Sequence, residues 1–308
     1  MSQKITIVGS YNVGLFLKGE RLPRKGETII GDSFRESGGG KGSNQAVAAA
    51  LLGADTSFVC RIGDDQYGHN ALKMYGKFGI STDYVFMDQT IHSGISVILI
   101  DNAGNNMISV VPGANYRLSK TDIDSASLLF RSSVMVGFQL ENKLDTVLYG
   151  IRVAKETGAQ VILDPAPALV LPDDIFPLLD YIKPNETEAT TITGIPVNDV
   201  DSAVRAGKWL VEHGVKTAIV TLGEAGAVAV DEKGACHYPA PKVNCVDATG
   251  AGDIFSGAFM CALSQGESFA DAIVFANHAA ALACTKLGVI EAIPSRDDVL
   301  SFMKAGGR

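Results

Sequence analysis

The sequence is poor in the features that mark several protein classes. Only 7% of its 308 residues are aromatic, and its 5 cysteines include no C-x-x-C pair. An odd number of scattered cysteines argues against a disulfide framework and predicts reduced thiols in a cytoplasmic protein. Lysine and arginine number 26 against 34 aspartates and glutamates, which gives a net charge of −8. An acidic chain lacks the basic patch that a nucleic acid or an anionic membrane surface needs, so neither is expected as a partner.

Long hydrophobic runs are also missing. No apolar stretch reaches the roughly 18 residues of a membrane span, and the amino terminus lacks the apolar segment of a signal peptide. The most apolar stretch, Ala272–Ile290, contains Asn277 and Lys286 and predicts a buried helix. The 5 histidines have no metal-ligand spacing. With 46% hydrophobic residues, the chain is long enough for one large domain with a sizeable core.

Apolar runs alternate with helical patterns along most of the chain. The first predicted strand, Ile5–Val8, ends at a Gly-Ser turn. Further strands are predicted over 56–61, 134–136, 160–163, 181–182 and 217–221. Helical patterns lie between them, for example over 199–212. The alternation predicts an α/β fold with a doubly wound, mostly parallel sheet, in one domain over residues 1–308.

One region interrupts this alternation. Strand-like runs at Gly94–Ile100 and Met107–Val111 are joined by the turn-forming Asp101–Asn105, which predicts an antiparallel hairpin. Residues 16–34 have an irregular pattern with Pro23 and several glycines. We therefore expect residues 13–36 and 92–112, with approximate bounds, to form a small separate β-sheet that acts as a lid.

The segment Asp247–Asp253 carries the strongest chemical signal. Its loop contains Gly250, Ala251 and Gly252 and leads into a predicted helix. Backbone N–H groups and the dipole at a helix N-terminus attract an anion, such as a phosphoryl group in transfer. Asp253 is placed to accept a proton from an attacking hydroxyl. The structural alternative is an aspartate that only caps the helix, because a lone glycine-rich loop is weak evidence.

A second glycine-rich segment spans Gly38–Gly42 and opens an alanine-rich helix. Its glycines allow a close approach of backbone to a ligand, and Lys41 and Asn44 supply donors suited to sugar hydroxyls. The segment is not a Walker A motif, because the lysine lacks the required glycines before it and Ser or Thr directly after it. The structural alternative is a strand–helix turn with a solvated lysine.

Two shorter segments follow later strands. In the first, Asn185 and Glu188 have the spacing of a helix capping box, and their functional interpretation is a place near hydrated Mg²⁺ and nucleotide phosphates. The second, Thr221–Gly226, is either a tight turn or a loop along the nucleotide, at the strand ends where doubly wound folds bind ligands.

Together these segments resemble the ribokinase, or pfkB-type, family of carbohydrate kinases. GGGKGSNQAVAA is similar to the first signature of the family and DATGAGDIFSGAF to the second, with PNETE and TLGEAG between them in the family's order. The resemblance covers nearly the whole chain. It implies ATP-dependent phosphorylation of a hydroxymethyl oxygen of a small sugar, ribose or a related pentose or ketose, with Mg²⁺, activation by K⁺, and a homodimer formed through the lid.

The resemblance also implies a role for each site residue. Asp253 would be the catalytic base, and the N–H groups of Ala251, Gly252 and Asp253, beside Gly250, would form the anion hole. Sugar contacts are implied for Asn12, Gly40, Lys41, Asn44 and Glu141, with Gly14 beside them. ATP contacts are implied for Asn185, Thr221, Gly223, Gly226, Gly252 and Asn277. Glu188 would help to position Mg²⁺ indirectly. A monovalent cation would be bound by carbonyls of Asp247, Thr249, Ala283, Lys286 and Gly288.

Three positions depart from the family pattern. Gly14 stands where the family has an aspartate, so we expect weaker discrimination between sugar hydroxyls and space for a bulkier sugar such as a ketohexose. Ala248 replaces a threonine, which is a mild change. Ala292 replaces a serine near the cation, so one oxygen ligand is missing and weaker activation by K⁺ is expected.

Other functions remain open at this point. A nucleoside kinase of the same fold is the runner-up, although Lys41 and Asn44 in the first signature favour a free sugar. A non-catalytic sugar or nucleotide sensor has no need of the base Asp253. A dinucleotide-dependent oxidoreductase is disfavoured, since no G-x-G-x-x-G motif follows the first strand.

Overall fold

A computed structural model describes residues 3–306, so both ends of the predicted domain, 1–2 and 307–308, lie outside the described residues. The strands are β1 Lys4–Val8, β2 Asn12–Lys18, β3 Ser33–Gly39, β4 Asp55–Gly63, β5 Ser81–Asp88, β6 Gly94–Ile100, β7 Asn106–Val111, β8 Met135–Phe138, β9 Gln160–Leu163, β10 Tyr181–Ile182, β11 Thr217–Thr221, β12 Ala227–Asp231 and β13 Gly234–Tyr238. The α-helices are α1 Lys41–Leu51, α2 Gln66–Lys77, α3 Lys120–Ser125, α4 Ser127–Ser132, α5 Leu144–Glu156, α6 Glu186–Thr193, α7 Val200–Glu212, α8 Ala251–Ser264, α9 Phe269–Ala283 and α10 Arg296–Lys304.

Nine strands form one large sheet in the order β13-β12-β11-β10-β9-β8-β1-β4-β5. Its pairs are parallel from β5 to β11, and β12 and β13 add an antiparallel edge. Ile5 and Ile7 of β1 are fully buried, as expected for a central parallel strand covered on both faces. Helices α1, α8 and α9 contribute to one apolar core and α3, α4 and α5 to the other. The predicted α/β fold with a mostly parallel sheet is therefore confirmed.

A separate sheet of four strands has the order β3-β2-β6-β7. The predicted hairpin is present as β6 and β7, so the expectation of a separate small sheet is confirmed. The prediction of irregular structure over 16–34 was wrong at both ends, where β2 and β3 form. Strand β2 pairs with β6, about 80 residues away in the chain (Asn12 opposite Gly94), and such a distant partner leaves no local signal.

The two edge strands of the large sheet, β5 and β13, and β12 beside β13 were not predicted. Strand β13 is mostly exposed, so its sequence lacks the apolar run that marks a buried strand. No helix within residues 3–306 is long and apolar enough to cross a membrane.

Candidate active site

The site lies where the amino ends of α1 and α8 meet the carboxyl ends of the central strands. Helix α8 begins at Ala251, with Gly250 as its N-cap at a left-handed φ of 77°. A Cβ atom at Gly250 would lie 2.4 Å from Cγ1 of Val289. This position therefore requires glycine, because any side chain would both strain the backbone and collide with Val289.

At the predicted anion hole, one of the three expected backbone donors already has an acceptor. The N–H of Ala251 donates to the Ala248 carbonyl at 3.2 Å, so it is already used. The N–H groups of Gly252 and Asp253 have no acceptor within residues 3–306. Two predicted donors, not three, are thus free at the N-terminus of α8, where the helix dipole also favours an anion.

Asp253 is buried and its carboxylate is fixed on both sides. Asn44 Nδ2 donates to Oδ2 at 2.8 Å, and Gln45 Nε2 donates to Oδ1 at 3.3 Å. Burial raises the pKa of Asp253 above its usual value, although the positive charge of Lys41 opposes this shift. An oriented carboxylate with a raised pKa is suited to general-base catalysis. The simple capping alternative is disfavoured, because the Asp253 carboxylate bonds Asn44 and Gln45 and, among the described residues, caps no backbone N–H of α8.

A second polar cluster surrounds Glu141. Its Oε2 atom accepts hydrogen bonds from Ser10 Oγ at 2.5 Å, Asn12 Nδ2 at 3.3 Å and the Lys41 backbone N–H at 2.9 Å. The side-chain oxygen of the buried Asn44 has no partner among the described residues. A buried acceptor without a donor is costly, so this oxygen is available to a ligand hydroxyl. Asn12 therefore contacts Glu141, and Asn44 contacts Asp253; their role in sugar binding stays a prediction.

The two remaining sugar-site glycines have different surroundings. Gly40 has a φ of 90°, and a Cβ there would lie 2.7 Å from the Asn12 nitrogen, so the loop needs glycine. A Cβ on Gly14 would lie 2.7 Å from the ring carbon Cε2 of Phe16. The Phe16 ring already fills the space beside Gly14. The expected space for a bulkier sugar at this position is therefore absent.

A cavity of about 720 Å³ adjoins Asp253. The predicted nucleotide residues all line it: Asn185, Thr221, Gly223, Gly226, Gly252 and Asn277. Lys41 also lines this cavity, and its backbone N–H bonds Glu141 of the second polar cluster. Gly226 has a φ of 92°, and a Cβ there would lie 2.1 Å from the Tyr238 carbonyl oxygen.

Asn185 and Glu188 form the capping box of α6. Glu188 accepts from the Asn185 backbone N–H at 2.8 Å and from its Nδ2 at 3.1 Å, and Asn185 Oδ1 accepts from the Glu188 N–H at 2.9 Å. Burial raises the pKa of Glu188, and the charge of Asp164 adds to this shift. Within residues 3–306 no three His, Cys, Asp or Glu residues form a cluster that could hold a metal ion. This donor set fits an indirect, water-mediated contact to Mg²⁺ and no protein cage.

The predicted cation residues come together around Asp247. Its carboxylate accepts from the Thr249 N–H at 2.9 Å and the Gly288 N–H at 3.0 Å. The Ala283 carbonyl accepts from the Lys286 N–H at 3.0 Å. Since both Asp247 side-chain oxygens already have partners, a monovalent cation here would depend mainly on backbone carbonyls. Ala292 is buried beside this loop and offers no side-chain oxygen.

Three further buried polar residues, Gln45, Asp164 and Lys183, lie at the site without having been predicted from the sequence. Lys183 Nζ lies 2.8 Å from Asp164 Oδ2, and both side chains are less than 5% exposed. Gln45 Nε2 donates to the same Asp164 oxygen at 3.0 Å. One signal was available: Lys183 and Asp164 both directly follow predicted buried strands, at the sheet edge where α/β folds bind ligands.

Comparison with known proteins agrees with this geometry. The family model for "pfkB family carbohydrate kinase" matches residues 2–296. The chain is 36% identical over 305 residues to a ribokinase of Haemophilus influenzae (99% of each chain), and 37% identical over 300 residues to a deoxyribokinase of Salmonella typhi (97% of this chain, 98% of the relative). The structure of Arabidopsis thaliana ribokinase complexed with ribose and ATP superposes with a TM-score of 0.91 at 32% identity, covering 99% of both chains. The chain belongs to the pfkB family of carbohydrate kinases.

Proposed function

We propose that the protein transfers the γ-phosphoryl group of ATP to the hydroxymethyl oxygen of a ribose-type sugar. The observation that carries this proposal is the position of Asp253. It is buried between a cluster of hydroxyl-binding side chains, Asn44 among them, and the cavity at the N-terminus of α8. The ribose and ATP bound to the Arabidopsis relative support the same pair of substrates.

In the proposed reaction Asp253 accepts the proton of the sugar hydroxymethyl group as the hydroxymethyl oxygen attacks the γ-phosphorus of ATP, and the bond from this phosphorus to the bridging oxygen breaks to release ADP. The free N–H groups of Gly252 and Asp253 then bind the oxygens of the transferring group, where charge develops. Asn12, Asn44 and Glu141 orient the sugar hydroxyls. Orientation of both substrates supplies a large part of the rate, because phosphoryl transfer needs little covalent chemistry from the protein.

Two metal ions are part of this proposal. Mg²⁺, when bound, neutralises phosphate charge, and Glu188 would hold its water ligands. The carbonyls around Asp247 would hold K⁺ and so fix the loop that precedes the anion hole.

All five cysteines are free thiols, which supports a reducing, cytoplasmic location.

ATP consumption tests the proposal directly. The purified protein is assayed with ribose, 2-deoxyribose, ketohexoses and nucleosides, each with MgATP. We expect the highest kcat/KM with a free pentose. Turnover of nucleosides alone would support the nucleoside kinase instead, and nucleotide binding without any turnover would support a sensor.

Activation by K⁺ is expected to be present but incomplete. The loop around Asp247 is retained, while Ala292 offers no oxygen ligand, so K⁺ should raise kcat less than it does after Ala292→Ser. The measurement is kcat in K⁺ and in a large organic cation at matched ionic strength. Equal rates in the two cations for both proteins would contradict a cation site.

The Phe16 ring beside Gly14 predicts weak discrimination between ribose and 2-deoxyribose. If the hydroxymethyl group of a furanose lies at Asp253, we expect the far edge of its ring, C1 and C2, to lie towards β2. There the Phe16 ring replaces a hydrogen-bonding group. An apolar pocket surface of this kind changes kcat/KM between the two sugars by less than about 10²-fold. A surface that hydrogen-bonds the hydroxyl changes it by about 10⁴-fold or more.

The corresponding test restores a carboxylate. Because the Phe16 ring blocks position 14, the variant is Gly14→Asp with Phe16→Ala, and Phe16→Ala alone is the control. We expect the ratio of kcat/KM for ribose over 2-deoxyribose to rise by at least about tenfold in the double variant only. A wild-type protein that already rejects 2-deoxyribose strongly would show that another group reads this hydroxyl.

The lid is the proposed dimer interface. Leu17, Phe34, Met107 and Val111 lie on one face of the small sheet, and all are at least 39% exposed. An exposed apolar sheet face of this kind marks an interaction surface. We expect a dimer at micromolar concentration in sedimentation velocity, and a monomer after Phe34→Glu with Met107→Glu. Leu128→Glu, an exposed leucine of α4, is the control and should leave the dimer intact; a monomeric wild type would overturn the proposal.

A further inference from the structure

A closed ring of hydrogen bonds lies beneath the first turn of α8. Lys183 Nζ lies 2.8 Å from Asp164 Oδ2 and donates to the Gly252 carbonyl at 3.0 Å. Gln45 Nε2 donates to Asp164 Oδ2 at 3.0 Å and to Asp253 Oδ1 at 3.3 Å. Since Gly252 and Asp253 are consecutive residues, these bonds close a ring that joins the general base to the anion hole.

The orientation of Gln45 in the ring is fixed. Gln139 Nε2 donates to Gln45 Oε1 at 2.7 Å, so the Gln45 amino group must face the two carboxylates. Gln45 and Asp164 are 1% and 3% exposed. Asp164 also accepts from Ser256 Oγ at 3.1 Å, which ties it to the second turn of α8.

Lys183 has a position that is costly for a lysine. Its side chain is 4% exposed, and a buried charge costs free energy unless it is well paired. It also contacts the first turn of a helix, where the dipole disfavours a cation. An apolar side chain of similar length would fill the same space without the cost of burying a charge or of placing a cation at a helix N-terminus. Residues that lower stability in this way without an evident structural need are typical of functional sites.

We infer that Lys183 and Asp164 are positioning residues for phosphoryl transfer. Asp164 aims the Gln45 amide at Asp253, and Lys183 holds the Gly252 peptide, so that the base and the anion hole keep a fixed relative geometry. The inference rests on the proposed kinase function. Productive geometry tolerates deviations of only about 0.5 Å, and a misplacement of about 1 Å costs about 10²-fold in rate.

The ring also affects protonation of the base. The positive charge of Lys183 lowers the pKa of Asp253, and the negative charge of Asp164 raises it. Asp253 must be ionised to accept a proton, so activity falls as the pH falls through its pKa. Loss of Lys183 alone therefore moves the acid limb of the kcat profile to higher pH.

The test separates a positioning role from support of the fold by means of two variants. Lys183→Met leaves Asp164 buried without its cation, so we expect a lower melting temperature, a kcat reduced about 10²-fold, a sugar KM close to wild type and an acid limb at higher pH. Lys183→Met with Asp164→Asn removes the unpaired charge but keeps an oxygen acceptor for Gln45. We expect this double variant to recover its melting temperature while kcat stays low.

A control pair lies at the opposite end of the same strand. Asp180 precedes β10, its side chain is 5% exposed, and it bonds both Lys155 Nζ, at 2.7 Å, and Lys216 Nζ, so Lys155→Met with Lys216→Met should lower the melting temperature without changing kcat. If the double variant regains both stability and wild-type kcat, the pair only supports the fold and the inference is overturned. The same holds if Lys183→Met keeps its kcat. Absence of any sugar turnover by the wild type would overturn the proposed function instead.

Discussion

Asp253→Asn is expected to reduce kcat by about 10²- to 10⁴-fold, the usual contribution of a general base. Asparagine has the same shape, and its single side-chain oxygen still accepts the Asn44 hydrogen bond, while the longer bond from Gln45 is lost. It cannot take the proton of the sugar hydroxyl. The Gly252 N–H and the cavity residues are unchanged, so the Kd for ATP should stay close to wild type. Steady-state kinetics and isothermal titration with a non-hydrolysable ATP analogue measure the two quantities.

Stability provides the second readout for Asp253. The pKa of Asp253 is raised in the folded state, so the folded protein favours the protonated carboxyl group. The free energy of unfolding gained from this protonated form is lost as the pH rises through the folded-state pKa. At neutral pH the ionised carboxylate therefore costs stability, and Asp253→Asn should unfold no more easily than wild type. The capping alternative predicts the reverse, because a helix N-terminus favours a negative charge.

A matched control exists in the next helix. Asp271 is the third residue of α9, as Asp253 is of α8, but it is exposed and pairs with the N-cap Ser268. Asp271→Asn should lower stability slightly and leave kcat unchanged. An Asp253→Asn protein that keeps most of its kcat would remove Asp253 from the proposed mechanism.

The sequence motifs predicted those parts of the candidate site in which one position requires a particular residue type, such as glycine or aspartate. Gly250 needs a left-handed backbone and Asp253 needs a carboxylate at a helix N-terminus, and both requirements are visible in Asp247–Asp253 alone. The parallel sheet was equally accessible, because strands such as β1 are continuous apolar runs. The lid hairpin was predicted from its turn, whereas β2 and β3 depend on pairing between distant segments.

The supporting ring was not predictable in the same way. Gln45, Asp164 and Lys183 come from three separate segments; the position of Asp164 and Lys183 directly after predicted strands marks them as candidates, but their contacts appear only when the fold brings them together. The substitution at Gly14 was visible in the sequence, but its consequence was not. Only once residues 12–18 are known to form a strand does alternation place Phe16 on the same face as Gly14.

Lys41→Met is the second change for which we expect a large effect. The Lys41 side chain lines the cavity beside Asp253 and has no salt bridge within residues 3–306. The carboxylates of Asp253, Asp164 and Glu141 nevertheless raise its pKa, with Asp253 contributing most. An unpaired ammonium group among carboxylates is available to the phosphoryl group in transfer. Removing one such stabilising group costs about 10²- to 10³-fold in kcat.

The pH profile distinguishes this role from simple sugar binding. Lys41 lowers the pKa of Asp253 by its charge, so Lys41→Met raises that pKa. Because Asp253 must be ionised to act, the acid limb of kcat/KM then moves to higher pH, and part of the lost activity returns as the pH is raised. Lys242→Met is the control: Lys242 also lines the cavity but does not contribute to the shift of the Asp253 pKa, so this variant should leave the acid limb in place. A Lys41→Met protein with a raised sugar KM, an unchanged kcat and an unshifted acid limb would restrict Lys41 to the sugar contact implied by its glycine-rich loop.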